Sequence, residues 1–169
     1  MPSIPLATAS TAGTSQHPTP SASFAALPGL SFDAAQAWAQ GFSMECQTGL
    51  IPPNGRPQLV IALCRRQSAS DNAQIDLTIQ YWPNNTVLAV SAAVQPISGG
   101  SVSDEFGVAF SQWMSRLPYA GADANATLDW LLSDDDCSAG CAKDFGSVSW
   151  TRTVSGKVDA VSAFVLDQG

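Results

Sequence analysis

Apolar and polar positions alternate with a period of two along several stretches of the chain, which predicts β-strands. The clearest stretch is 74–82, in which Ile75, Leu77, Ile79 and Tyr81 alternate with polar residues. A second stretch, 86–94, follows a Pro-Asn-Asn turn, so the two predict an antiparallel hairpin. Stretch 58–66 is apolar through its middle, which is typical of a strand covered on both faces. The remaining predicted strands are 44–48, 147–154 and 157–166.

Three other segments repeat apolar residues at helical spacing. Each is preceded by a residue that can cap a helix: Ser31 for the first, Ser101 or Ser103 for the second, Asp123 or Asn125 for the third. Gly41 and Pro118 end the first two helices. The apolar residues predicted to face the core are Ala35, Trp38, Ala39 and Phe42, then Phe106, Phe110, Trp113, Met114 and Leu117, then Leu128, Leu131 and Leu132.

The order of these elements is a helix, four strands, two helices and two strands, with no βαβ alternation. That grouping predicts an α+β fold. We expect a two-layer sandwich, with an antiparallel sheet of about five to six strands and two to three helices packed on one face. This single domain is expected to occupy residues 31–169.

Residues 1–30 differ from the rest of the chain in composition. They contain no charged residue, five prolines and nine serines or threonines. Such a segment has little apolar surface to bury, so we predict a disordered spacer. A spacer of this kind can join a folded domain to an anchor, and we expect an anchor or signal upstream of Met1.

Charge limits the partners of the protein. Seven basic residues stand against fourteen acidic ones, a net charge of −7. Nucleic-acid binding requires clustered Lys and Arg, and Arg65-Arg66 is the longest basic run, so we expect no nucleic-acid partner. No run approaches the roughly 18 apolar residues of a membrane span. We therefore expect no direct membrane insertion by this segment.

Candidate catalytic and metal-binding groups are few. The one histidine, His17, lies in the predicted spacer, where packed neighbours cannot hold a catalytic base. Asp123 and Asp134 have the spacing of calcium ligands, but Leu128 stands where a calcium loop requires glycine. We expect no metal site, no cofactor and no enzyme activity. The alternative is a secreted hydrolase that uses aspartates alone, as glycosidases do.

Four cysteines predict two disulfides, Cys46–Cys64 and Cys137–Cys141. Cys46 and Cys64 lie nine residues on either side of Gly55, inside a Pro/Asn/Gly turn cluster, so a hairpin folded there brings them opposite each other. The spacing of Cys137 and Cys141 differs from the C-x-x-C of thiol oxidoreductases and indicates a structural bond. An all-thiolate zinc site is the alternative. Two disulfides indicate an oxidising compartment: periplasm, cell surface or outside.

Two features are candidates for partner binding. Trp82 ends a strand beside Pro83 and is the aromatic residue most expected to be exposed. The other feature is the acidic loop 133–144, with Asp134, Asp135 and Asp136. We therefore expect a non-catalytic extracytoplasmic domain that binds or senses an unknown protein or small-molecule ligand.

The disulfide assignment predicts the mass of the unreduced protein. Intact mass should rise by four hydrogens on reduction, and peptide mapping should recover the two named pairs. Four thiols that react with a blocking reagent in the unreduced denatured protein, or stoichiometric zinc, would contradict it.

Overall fold

The computed structural model describes residues 24–51 and 58–166, which form an α+β fold. Most of the spacer predicted for 1–30, His17 and the turn cluster at 52–57 lie outside this range. The elements in chain order are β1 (Phe24–Ala25), α1 (Phe32–Gly41), β2 (Glu45–Leu50), β3 (Val60–Ser68), β4 (Ala73–Tyr81), β5 (Val87–Pro96), α2 (Asp104–Met114), α3 (Ala124–Leu131), β6 (Cys141–Phe145), β7 (Val148–Ser155) and β8 (Val158–Leu166).

The helices begin where capping chemistry predicts. The side chains of Ser31, Ser103 and Asp123 each accept a hydrogen bond from the backbone N–H three residues on. The buried face of α3 differs from the prediction: it includes Trp130, while Leu132 lies past the helix end and is 45% exposed. None of the helices in the described ranges is long and apolar enough to cross a membrane.

Within the described residues, seven strands form one antiparallel sheet in the order β2-β3-β4-β5-β8-β7-β6, and β1 pairs with the end of β8. The predicted number of five to six strands is therefore too low. The additional strand is β6, which pairs with β7 across a two-residue Gly146-Ser147 turn. Most of β6 was predicted as part of the acidic loop 133–144. A short strand of Ala, Lys and Asp lacks the apolar alternation that predicts a strand.

Strand β3 is covered on one face, whereas its apolar sequence predicted coverage on both. Ala62 and Cys64 are buried, but Leu63 between them is 44% exposed. The predicted hairpin of β4 and β5 is present, with Ile75, Leu77 and Ile79 all buried. A bulge at Leu88 places Val87, instead of Leu88, opposite Tyr81.

The fold begins before Ser31, inside the range predicted as spacer. Leu27 and Leu30 are 1% and 3% exposed and belong to the core. Backbone bonds tie this segment to β5, from the N–H of Leu27 to the carbonyl of Val87 and from the N–H of Val87 to that of Leu30. The spacer prediction rested on the average composition of residues 1–30, which two leucines hardly change.

Aromatic side chains connect the elements inside the core. The rings of Trp38 in α1 and Trp113 in α2 stack with centroids 4.1 Å apart, and each indole N–H donates to the other residue's carbonyl at 3.2 Å. Trp150 of β7 is fully buried and donates to the hydroxyl of Tyr119. The indole N–H groups of these three tryptophans therefore have acceptors, which avoids the cost of burying them unpaired.

Both predicted disulfides are present. Cys46 and Cys64 lie directly opposite each other on β2 and β3, with Cα atoms 4.0 Å apart. Cys137 and Cys141 close a short loop that leads into β6. The C=O of Cys137 also accepts hydrogen bonds from the N–H groups of Gly140 and Val154, so this loop is held against the end of β7.

Burial of Leu27 predicts that Leu27→Ala lowers the free energy of unfolding by about 2–5 kcal/mol, the usual loss for a buried leucine. Leu166→Ala is the matched control, because that side chain is 47% exposed, and it should change stability by less than about 1 kcal/mol. Urea denaturation measures both. Equal small losses would show that the segment before Ser31 does not contribute to the core.

Candidate binding cleft

A cleft of about 490 Å³ opens between α2, the end of α3 and the hairpin of β7 and β8. Ligand sites in proteins usually have volumes of roughly 300–1,000 Å³. The residues that line it are Val94, Ser101, Val102, Ser103, Asp104, Gly107, Val108, Ser111, Leu131, Leu132, Ser133, Asp134, Arg152, Val154, Gly156, Lys157, Val158 and Asp159.

One wall is a face of α2 that differs from its core face. Asp104, Gly107, Val108 and Ser111 line the cleft at intervals of three and four residues, which places them along one side of a helix. Among the described residues, no atom of another element lies within 4 Å of the position that a Cβ of Gly107 would occupy, so this point of the wall is open.

Apolar side chains remain uncovered at this cleft. Val108 of α2 is 41% exposed and Leu132, just after α3, is 45% exposed. Both therefore leave apolar surface in contact with water. Val102, Val154 and Val158 add partly buried aliphatic surface. Apolar surface concentrated in a concave site is typical of a ligand-binding site.

An ion pair lies on the strand side of the cleft. Arg152 on β7 and Asp159 on β8 have side chains that are only 16% and 24% exposed. Strand register places Asp159 between Val154 and Val94, and Arg152 beside Val161, so both charges stand among apolar positions. The guanidinium Nε donates to both carboxylate oxygens at 3.1 and 3.2 Å, and Nη2 donates to one of them at 2.9 Å.

Asp71 fixes the loop that leads into α2. Its carboxylate accepts hydrogen bonds from the hydroxyls of Ser68, Ser70 and Ser103, and its carbonyl accepts from the N–H of Ser103. The hydroxyl of Ser68 first, and that of Ser103 next, hold the pKa of Asp71 below its ordinary value. Because Ser103 caps α2 and lines the cleft, Asp71 connects the turn between β3 and β4 to this wall.

The predicted partner-binding residues are separated in the structure. Asp134 lines the cleft, whereas Asp135 and Asp136 do not. Asp135 accepts from the Ser133 hydroxyl, and Asp136 accepts from the N–H of Ser138, which lowers the pKa of Asp136. Trp82 is half-buried in the turn between β4 and β5 and lines a separate surface depression with Pro83.

Sequence reasoning missed Arg152 and Asp159, although a signal was present. Arg152 has the same strand parity as Val148, Trp150 and Val154, so it is a charged residue at an apolar position. Its partner Asp159 could be paired with it only once the register of β7 and β8 was known. Within the described ranges, the structure brings together no group of three or more His, Cys, Asp or Glu side chains that could hold a metal ion.

Comparisons of the chain with protein-family models, with curated proteins and with solved structures find no match.

The lowered pKa of Asp71 predicts a pH-dependent contribution to stability. The carboxyl binds its proton more weakly in the folded state, so its contribution is present above about pH 4 and is lost as the pH falls through the folded pKa. Asp71→Asn should reduce the loss of unfolding free energy between pH 6 and pH 3 in urea titrations. Ser68→Ala, which removes one donor, should reduce that loss by less. A pH dependence identical to that of the unsubstituted protein would contradict this role.

Proposed function

We propose that this chain is a non-catalytic domain that works outside the cytoplasm and binds a small-molecule ligand in the cleft between α2, α3 and the β7–β8 hairpin. The observation that carries the proposal is the combination of exposed Val108 and Leu132 with the sheltered pair Arg152–Asp159 in one concave site. Aliphatic walls with a few placed polar groups are the usual composition of ligand sites.

The proposal includes the two-layer arrangement expected from the sequence, with the helices on one face of the sheet. Alternate residues of β4, such as Leu77, share a buried cluster with Ala35 of α1 and Phe110 of α2. The intervening residues Asp76 and Thr78 are half-exposed. In this arrangement the cleft lies at the edge of the helical layer, where α2 and α3 leave the end of the β7–β8 hairpin uncovered.

The charges in the cleft favour recognition over acid–base catalysis. Asp104, Asp134 and Asp159 all line it, which is the feature that a carboxylate-based hydrolase would share. Both oxygens of Asp159, however, accept hydrogen bonds from Arg152, and Asp104 and Asp134 are exposed. A general acid requires a carboxyl kept protonated by an apolar pocket or a nearby like charge. We therefore place binding ahead of hydrolysis.

The proposed setting rests on the disulfides and on the composition of the N-terminal segment. Two disulfides are typical of proteins from oxidising compartments. The uncharged Pro/Ser/Thr-rich residues before Phe24 suit a spacer that holds the domain away from an anchor. We therefore include in the proposal that this spacer joins the domain to an anchor.

NMR titration with a matched probe series tests the function. Octanol, octylammonium and octanoate share an eight-carbon chain and differ in head group. At concentrations below micelle formation, at least one of them should shift the amide signals of Gly107, Val108, Leu132 and Val154 in a saturable manner. If none of the three shifts these signals, the cleft is not a site for small aliphatic ligands and the proposal fails.

Filling the cleft should abolish binding without loss of stability. Gly107→Leu adds a side chain where a Cβ meets no atom, and leucine favours a helix over glycine, so unfolding free energy should stay constant or rise by up to about 1 kcal/mol. Gly41→Leu is the matched control, because Gly41 ends α1 in similarly open space and is outside the cleft. The probe that binds the unsubstituted protein should bind the Gly41 variant and not the Gly107 variant. Binding retained by Gly107→Leu would place the site elsewhere.

A further inference from the structure

The arrangement of Arg152 identifies the chemical class of ligand. Resting on the proposed function, we infer that the cleft binds an aliphatic molecule that ends in an oxyanion, a carboxylate or a phosphate, and that the oxyanion binds the free edge of the Arg152 guanidinium.

A guanidinium is planar and can bind one oxyanion along each of two edges. Asp159 occupies the edge formed by Nε and Nη2. The other edge is formed by Nη1 and Nη2, and in the described part of the chain Nη1 donates to no acceptor. Asp159 therefore fixes the plane of the guanidinium and leaves a two-donor fork available to a second oxyanion.

Burial makes this fork a stronger site than an exposed arginine. The Arg152 side chain is 16% exposed, compared with 63% for Arg65 in the surface ion pair with Asp76. Attraction between charges grows as water is excluded, so a ligand oxyanion at Arg152 gains more than one at Arg65. Lys157 also lines the cleft, but it is exposed, so water and dissolved salt screen its positive charge.

Two other carboxylates line the cleft and oppose an anionic ligand. Asp104 and Asp134 are exposed, so water and dissolved salt screen their repulsion. The carboxylate nearest to Arg152, that of Asp159, is already neutralised by the guanidinium. The pair at the sheltered end has no net charge, so what favours an anion there is the two N–H donors on the free edge of the Arg152 guanidinium.

The side chains that line the cleft also indicate the chemistry of the part of the ligand that does not carry the oxyanion. None of the residues that line the cleft is aromatic. Seven of them are valine or leucine: Val94, Val102, Val108, Leu131, Leu132, Val154 and Val158. Aliphatic walls of this kind gain free energy by covering an alkyl chain. They lack the flat rings that stack on a nucleobase or a sugar.

Head-group comparison by calorimetry tests the inference. Octanoate and octyl phosphate should each bind at least about ten times more tightly than octanol or octylammonium, because charge-assisted hydrogen bonds are roughly twice as strong as those between neutral groups. The ratio of the two anions identifies the preferred head group. If octanol or octylammonium binds as tightly as both anions, the inference is wrong while the cleft remains a binding site.

Paired substitutions locate the head group. Arg152→Gln combined with Asp159→Asn removes both charges, so no unpaired ion is left in the cleft. This variant should bind octanoate at least about tenfold more weakly and octanol unchanged, and the retained octanol affinity shows that the cleft is folded. Arg65→Gln with Asp76→Asn removes the surface pair and should leave octanoate affinity unchanged.

A conservative variant covers the case in which the double variant fails to fold. Arg152→Lys keeps the positive charge but has no planar fork, so octanoate affinity should fall several-fold while octanol affinity is kept. Unchanged octanoate affinity in either Arg152 variant would overturn the assignment of the head group to Arg152.

Discussion

The antiparallel pairing of β5 with β8 is the constraint on which the rest of the fold depends. It joins a four-stranded meander, β2 to β5, to a three-stranded one, β6 to β8, and makes one sheet of them. The register places Val161 beside Ala92 and Asp159 beside Val94. A shift of one residue would turn the side chains of β8 to the opposite face, which would expose the buried Val161 and Ala163, bury Ser162 and remove Asp159 from the cleft.

The helices α2 and α3 lie close to this pair of strands. They occupy the connection between β5 and β6, and residues of both line the cleft together with Val94 of β5 and Asp159 of β8. α2 consequently has two different sides. Phe106 and Phe110 are buried in the core, while Gly107 and Ser111 line the cleft. One helix thus stabilises the domain and shapes its proposed ligand site.

Features set by neighbouring residues could be predicted from sequence, and features set by distant contacts could not. Helix caps and the hairpin of β4 and β5 follow from local chemistry, and the Cys46–Cys64 bond follows from the equal spacing of the two cysteines on either side of Gly55 in the sequence. The cleft could not be predicted, because α2, α3 and the β7–β8 hairpin are distant in sequence and come together only in the folded chain. Residues 24–30 were misassigned because two buried leucines do not alter the composition of a long polar segment.

The position of β8 has a consequence for biosynthesis. The strand comes last among the elements, yet it lies inside the sheet between β5 and β7. A nascent chain that ends before residue 158 can form the first meander but has no partner for the inner edge of β5. The contacts of β5 with β8 therefore form only after β8 has left the ribosome, and until then the inner edge of β5 lacks its partner strand.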